Sequence, residues 1–135
     1  MVKKTRKQEN ATAIIVEEDE LASNSEEDQV FTDLSEKLAE IRKEKGVIGY
    51  ILRNTTSAMI DLKEPEKIVE YALFASRVMD SSREISNLFE LGDIKSTVVE
   101  GKETNALCSN INGNQISIFM EKSVDHADIS KRISP

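Results

Sequence analysis

Apolar residues recur at helical spacing through Phe31, Leu34, Leu38 and Ile41, with Thr32 or Asp33 able to cap the start and Gly46 placed to end the run. The pattern predicts a first helix over about 33–45. Two β-branched and aromatic runs of strand length follow, 47–53 and 57–62, separated by Asn54-Thr55-Thr56. Strands so close in sequence predict an antiparallel hairpin. Pro65 between Glu64 and Glu66 opens a second helix, because proline fits a first turn and acids suit the positive end of the helix dipole. Along it Ile68, Tyr71, Ala72, Phe74, Ala75, Val78, Met79, Ile85 and Phe89 fall on one arc about 160° wide, where a helix covering a single core needs about 100°. The excess predicts a second partner surface. After Leu91-Gly92-Asp93 come three strand-like runs, 94–100, 104–110 and 115–121. The first two are joined by Gly101-Lys102-Glu103, and the last two by Asn112-Gly113, a strong hairpin signal. A closing helix over 124–133 carries Ala127, Ile129 and Ile133, with Asp125 as cap. Four of the five glycines sit at element ends, and Gly49 alone lies inside a strand. The order α-β-β-α-β-β-β-α predicts an α+β fold, a five-stranded antiparallel sheet with helices covering its faces.

Length and charge refine this picture. The 135 residues fit one domain with a tail. Residues 1–30 carry four basic and eight acidic side chains, so they hold −4 of the net charge of −7. Few large apolar residues occur there, and the expectation is an acidic disordered N-terminal tail, 1–30, attached to a domain over 31–135. An acidic total without clustered Lys and Arg argues against nucleic acid as a partner, and 4% aromatic content leaves few bases-stacking residues. Apolar runs such as Ala13-Ile14-Ile15-Val16 are far shorter than the roughly 20 residues of a spanning helix, so no membrane insertion is expected. Met1 to Lys7 are not followed by an apolar core of signal-peptide length, and Cys108 is the single cysteine. Both features point to the cytoplasm.

Candidate chemistry is sparse. His126, the only histidine, stands beside Asp125 and Asp128 in the predicted start of the last helix, a cluster that could bind a cation but for which a solvated helix start is the plainer account. Cys108 lies mid-strand without a basic neighbour to lower its pKa, which suits packing. Neither a Gly-x-x-x-x-Gly-Lys cradle nor a Gly-x-Gly-x-x-Gly turn occurs, so no nucleotide cofactor is expected. Paired carboxylates such as Glu36/Glu40 and Glu66/Glu70 fall on helix surfaces. No catalytic, cofactor-binding or metal-binding residue is assigned. Three strings in the tail carry local signals. Ala13-Ile14-Ile15-Val16 followed by Glu17-Glu18-Asp19-Glu20 is similar to apolar-then-acidic peptides that add a strand to a ubiquitin-like modifier. Ser25-Glu26-Glu27-Asp28 looks like an acid-directed kinase site, and Asn10-Ala11-Thr12 matches the glycosylation triplet, which a cytoplasmic chain would not present.

Residues about 33–133 resemble the Roadblock family of dynein light chains and regulators of Ras-like GTPases. The likeness rests on Gly46-Val47-Ile48-Gly49-Tyr50-Ile51-Leu52, on Leu91-Gly92-Asp93-Ile94 leading into Val98-Val99-Glu100-Gly101, and on Asn112-Gly113-Asn114-Gln115-Ile116-Ser117-Ile118. The resemblance implies a profilin-like three-layer α/β/α sandwich with sheet order 2-1-5-4-3. It further implies dimerisation, with itself or a paralogous Roadblock-like chain, through the long helix and the third strand. By position that interface draws on Tyr71, Phe74, Val78 and Ile85 with Ile94, Ser96 and Val98. The function implied is a non-catalytic homodimeric adaptor that binds a Ras-like small GTPase and modulates its nucleotide cycle or localisation. The rival is a structural light-chain or scaffold subunit tethering a larger complex, and a third reading is a sensor with a pocket between helix and sheet. Asn54-Thr55-Thr56 departs from the Asp and Gly frequent at that turn in the family, and the acidic tail lies outside its pattern.

Overall fold

The structure, a computed structural model, describes residues 13–18 and 25–134. Its elements run β1 (Ala13–Glu18), α1 (Ser25–Arg42), β2 (Val47–Arg53), β3 (Ser57–Leu62), a 3₁₀ turn (Pro65–Lys67), α2 (Ile68–Phe89), β4 (Ser96–Glu100), β5 (Thr104–Ile111), β6 (Asn114–Glu121) and α3 (His126–Ile133). All strand pairs are antiparallel, in the order β1-β3-β2-β6-β5-β4. The five strands expected from sequence keep the order 2-1-5-4-3, and β1 adds a sixth at the β3 edge.

Two apolar clusters, one on each side of the sheet, make the three layers. Leu34, Leu38 and Ile41 of α1 and Ile129 and Ile133 of α3 pack on Tyr50, Leu52, Leu107, Ile116, Ile118 and Met120. Across the sheet, Ile68, Tyr71, Ala72 and Ala75 of α2 pack on Ile51, Leu62, Ala106 and Phe119. Strand alternation produces this division: Ile118 and Phe119 are neighbours in β6 and face opposite layers. Each fully buried aliphatic side chain, such as Leu38 or Ile116, contributes about 1.5–3 kcal/mol by leaving water.

Turn chemistry falls where the residues demand it. Asn112 and Gly113 both take positive φ, 51° and 82°, as a two-residue hairpin turn with matching twist requires. Asp125 caps α3, its carboxylate accepting from the Ala127 and Asp128 amides. Gly49 sits at a register irregularity between β2 and β6, and a Cβ there would lie 2.4 Å from the Asp61 carbonyl oxygen. The β3 backbone passes too close for any side chain.

Two expectations change. The first helix was expected over 33–45, yet it begins at Ser25 and ends at Arg42. Its start lies in an acidic string that reads as tail by composition, although acids at 26–28 suit the positive end of a helix. Its end tightens through i→i+3 bonds from the Lys43 and Glu44 amides to the Glu40 and Ile41 carbonyls, and Gly46 turns the chain at φ 91°. The second change concerns the tail expected over 1–30: residues 13–18 form β1, in register from Ala13↔Leu62 to Glu18↔Ser57. A six-residue apolar-acidic strand has no periodic signature of its own, and its partner residues lie 39 to 49 positions away in sequence. The Asn10-Ala11-Thr12 triplet and residues 19–24 lie outside the described residues.

Candidate interaction surface

α2 touches the sheet along a narrow line. Only Ala75 and Ser82 are buried, with Ile68, Tyr71, Ala72, Met79 and Ser86 half-buried on the same stripe. These side chains are mostly small, which brings the helix close to the strands. The Ser82 and Thr97 hydroxyls share a 2.8 Å hydrogen bond between α2 and β4, and the Tyr71 ring lies tilted 4.4 Å from that of Phe119. At its end Glu90 adopts the left-handed conformation, the Leu91 amide bonds back to the Ser86 carbonyl at 3.0 Å, and the Ser86 hydroxyl donates to the Gly92 carbonyl.

Beside that stripe runs a second apolar flank of Tyr71, Phe74, Val78, Ile85, Leu88 and Phe89, about 100° wide on the helical wheel. Phe74 is 38% exposed, Ile85 48%, Leu88 75% and Phe89 69%. Its direction is fixed by what borders it. On the other side of the stripe Ala72, Ser76 and Met79 line a small cavity with Ile51, Ala58 and Ile60 of β2 and β3. The flank therefore lies toward β5 and β4, with the Phe74 ring edge-on to Phe119 at 6.1 Å.

Among the described residues β4 and β1 are the two edges of the sheet, and β4, which pairs with β5 alone, is the one beside this flank. Ser96-Thr97-Val98-Val99-Glu100 holds no proline or lysine, the residues that commonly discourage edge pairing. An exposed apolar helix flank and an unpaired strand edge thus share one border of the molecule.

The seven residues singled out from sequence divide between the two faces. Tyr71, Phe74, Val78 and Ile85 are on the flank of α2. Val98 is opposite Leu107 and Ser96 opposite Ser109, and Leu107 belongs to the α1/α3 cluster, so both strand residues are on the face away from α2. Thr97 and Val99 face α2 instead, as the Ser82 bond and the Val99 packing require. Ile94 precedes β4 and lines a crease of about 610 Å³ between the end of α2 and β4–β5, with Ser82, Ser86, Asn87 and Asn110. Leu88, Thr97 and Val99 went unrecognised; strand alternation separates 97 and 99 from 96 and 98, but only the location of α2 tells which pair it covers.

Cys108 is buried, receives a 3.5 Å hydrogen bond from the Ser117 hydroxyl, and has its thiol pushed up by burial. His126 Nε2 lies 4.0 Å from a Glu100 carboxylate oxygen at the surface. Arg42 pairs with Asp61 at 3.4 Å behind α1, where burial raises the Asp61 carboxyl against the opposing pull of Arg42. Beside them burial pushes the Tyr50 hydroxyl up to about 12. Asn54 organises the first hairpin turn: its side-chain oxygen accepts from the Thr56 amide (2.9 Å), the Ser57 amide (2.8 Å) and the Thr56 hydroxyl (3.2 Å). Its amide group donates to Asn114 at 3.0 Å, tying the two hairpins together. Among the described residues no group of three His, Cys, Asp or Glu is placed to hold a metal ion, and no helix is long and apolar enough to cross a membrane.

No protein-family model and no curated protein matches the sequence significantly. The fold does match a solved one. The crystal structure of a Roadblock/LC7 domain from Streptomyces avermitilis aligns with 78% of this chain and 87% of its own, with a TM-score of 0.59 and 17% sequence identity. The chain therefore has the Roadblock/LC7 fold, the profilin-like three-layer sandwich.

Proposed function

We propose that this chain is a non-catalytic adaptor or regulator that acts as a homodimer, or paired with another chain of the same fold, and binds a Ras-like small GTPase in the cytoplasm. The observation that carries the reading is the apolar flank of α2 bordering the open β4 edge. Two copies related by a twofold axis bring their β4 strands together antiparallel, continue one sheet through both subunits, and set the two α2 helices side by side. Tyr71, Phe74, Val78, Ile85, Leu88 and Phe89 then lose their water, and β4 gains backbone partners. A stable interface buries at least about 1,000 Å² in total, which a 22-residue helix and a strand together can supply.

The dimer presents a broad composite surface to the GTPase and acts on its nucleotide cycle or its location by positioning the partner's own groups. Complex formation with small GTPases of the source organism, loaded with GTP or GDP analogues, tests this. Binding that depends on the nucleotide supports the reading, and its absence with every such GTPase overturns it. A scaffold or light-chain role is favoured by a separate observation: Val69 and Leu73, 68% and 60% exposed, stand on the other side of α2, away from the dimer flank. Nucleotide-independent capture of a larger assembly, lost on Val69→Asp with Leu73→Asp, is the outcome that selects it.

A further inference from the structure

β1 is the strand at the N-terminal side of α1, ahead of the other five in the chain. It precedes α1 by the six residues 19–24, lies at the outer edge of the sheet, and pairs with β3 alone through Ala13↔Leu62, Ile14↔Asp61, Ile15↔Ile60, Val16↔Met59, Glu17↔Ala58 and Glu18↔Ser57. The five strands β3-β2-β6-β5-β4 follow one another in the sheet order, and β1 extends that sheet beyond β3. β3 itself is a receptive edge: Ser57-Ala58-Met59-Ile60-Asp61-Leu62 has no Pro, Gly or Lys. Of these, 57–61 are only half-buried.

We propose that the β3 edge is a strand-accepting docking site, occupied here by the chain's own residues 13–18, and that its external ligand is an extended peptide of the same kind, four consecutive apolar residues followed by acids. The order of that pattern follows from register. Apolar positions 13–16 run along Leu62 to Met59, and the acidic end reaches Ala58 and Ser57. On the far side of Ala58 stands Arg53, exposed and directly across from it in β2. Positions 17 and 53 therefore share one row of the sheet about 10 Å apart, so that Arg53, whose Nε donates to the Gln115 side chain in β6 at 3.0 Å, sets a positive charge in the row where the acidic end lies. Backbone bonds supply the attachment and the acidic end selects the direction. The short tether gives the cis segment an effective concentration on the order of millimolar, so a modest intrinsic affinity keeps the edge filled until a competing segment is presented at high local concentration.

A fluorescein-labelled peptide of residues 11–22, titrated by anisotropy, tests the proposal on the full chain. Ile14→Pro with Ile15→Pro disables β1, because one of any two successive amides in an edge strand must donate to its neighbour. This variant is expected to bind the peptide at least about tenfold more tightly than the unaltered chain, whose own strand competes. Equal binding, or none by the variant, overturns the proposal. Cross-linking identifies the edge: a peptide with Cys in place of Glu17 should link to Ala58→Cys on β3, and linkage to Val98→Cys on β4 overturns it. Should the double proline variant lose its helical circular dichroism, Glu17→Cys with Ala58→Cys in the full chain decides. A disulfide within one chain that excess peptide prevents is expected, and its failure to form refutes the cis pairing.

Discussion

Replacing Asn54 with alanine removes the side chain on which the first hairpin turns. Three hydrogen bonds end on its oxygen, two of them from backbone amides, and its amide group bonds Asn114 across to the second hairpin. A hydrogen bond is worth about 0.5–1.5 kcal/mol net, and this turn is only partly buried, so water compensates some of the loss. We expect Asn54→Ala to lower stability by about 1.5–3 kcal/mol, a fall in Tm of roughly 5–12 °C for a chain of this size. Asn54→Asp is the informative control. It keeps the oxygen that accepts from Thr56 and Ser57 and loses only the bond to Asn114, which limits its effect to about 1 kcal/mol. Urea titrations of both variants, read by circular dichroism, separate the two contributions, with unchanged m-values as evidence that the folded and unfolded states are otherwise alike. If Asn54→Ala lies within about 0.3 kcal/mol of the unaltered chain, or Asn54→Asp is as damaging as alanine, the turn is not held in the way described.

Gly49→Ala should destabilise by about 3 kcal/mol or more, since the new methyl meets both the Asp61 carbonyl and Leu62 and the β3 backbone has to shift; a chemical denaturation curve measures it. Cys108 should resist a thiol reagent in the folded protein and react on unfolding, because it is buried and its thiol is raised. The raised Asp61 carboxyl gives a pH dependence of definite sign. The folded state holds that proton more tightly than the unfolded chain, so the contribution is present below the ordinary carboxyl value of 3.8 and is lost as pH rises through the shifted one. Compared with Asp61→Asn, the unaltered chain should therefore lose stability on going from acid toward neutral pH, by urea midpoints.

Much of the fold is readable in the chain because local chemistry and long-range packing agree there. Pro65, Asn112-Gly113 and Asp125 each specify a turn or a cap that the structure adopts, and the β5–β6 hairpin follows from Asn112-Gly113. The apolar arc of α2 exceeded what one sheet face needs, and the excess is the exposed flank of Phe74, Ile85, Leu88 and Phe89. Where sequence reasoning falls short, the missing information is non-local. The start of α1 is acidic and β1 is a short apolar run set among acids, and only pairing with β3 distinguishes Ala13–Glu18 from a solvated tail. The division of β4 between faces is likewise set by α2 above Thr97 and Val99, through the Ser82 hydroxyl and the α2-side cluster. Asn54 carried a local signal, an Asn followed two residues later by Thr, which fits a side-chain turn, although the Asn114 bond has no trace in sequence.

The central claim is that two copies associate through the α2 flank and the β4 edge, and the molar mass in solution tests it most directly. Light scattering across a dilution series should give twice the 15.1 kDa chain mass for the unaltered protein. Phe74→Glu with Ile85→Glu, both at exposed positions, should give the single-chain mass with an unchanged circular dichroism spectrum. A monomer throughout, or a dimer indifferent to both substitutions, would contradict the account.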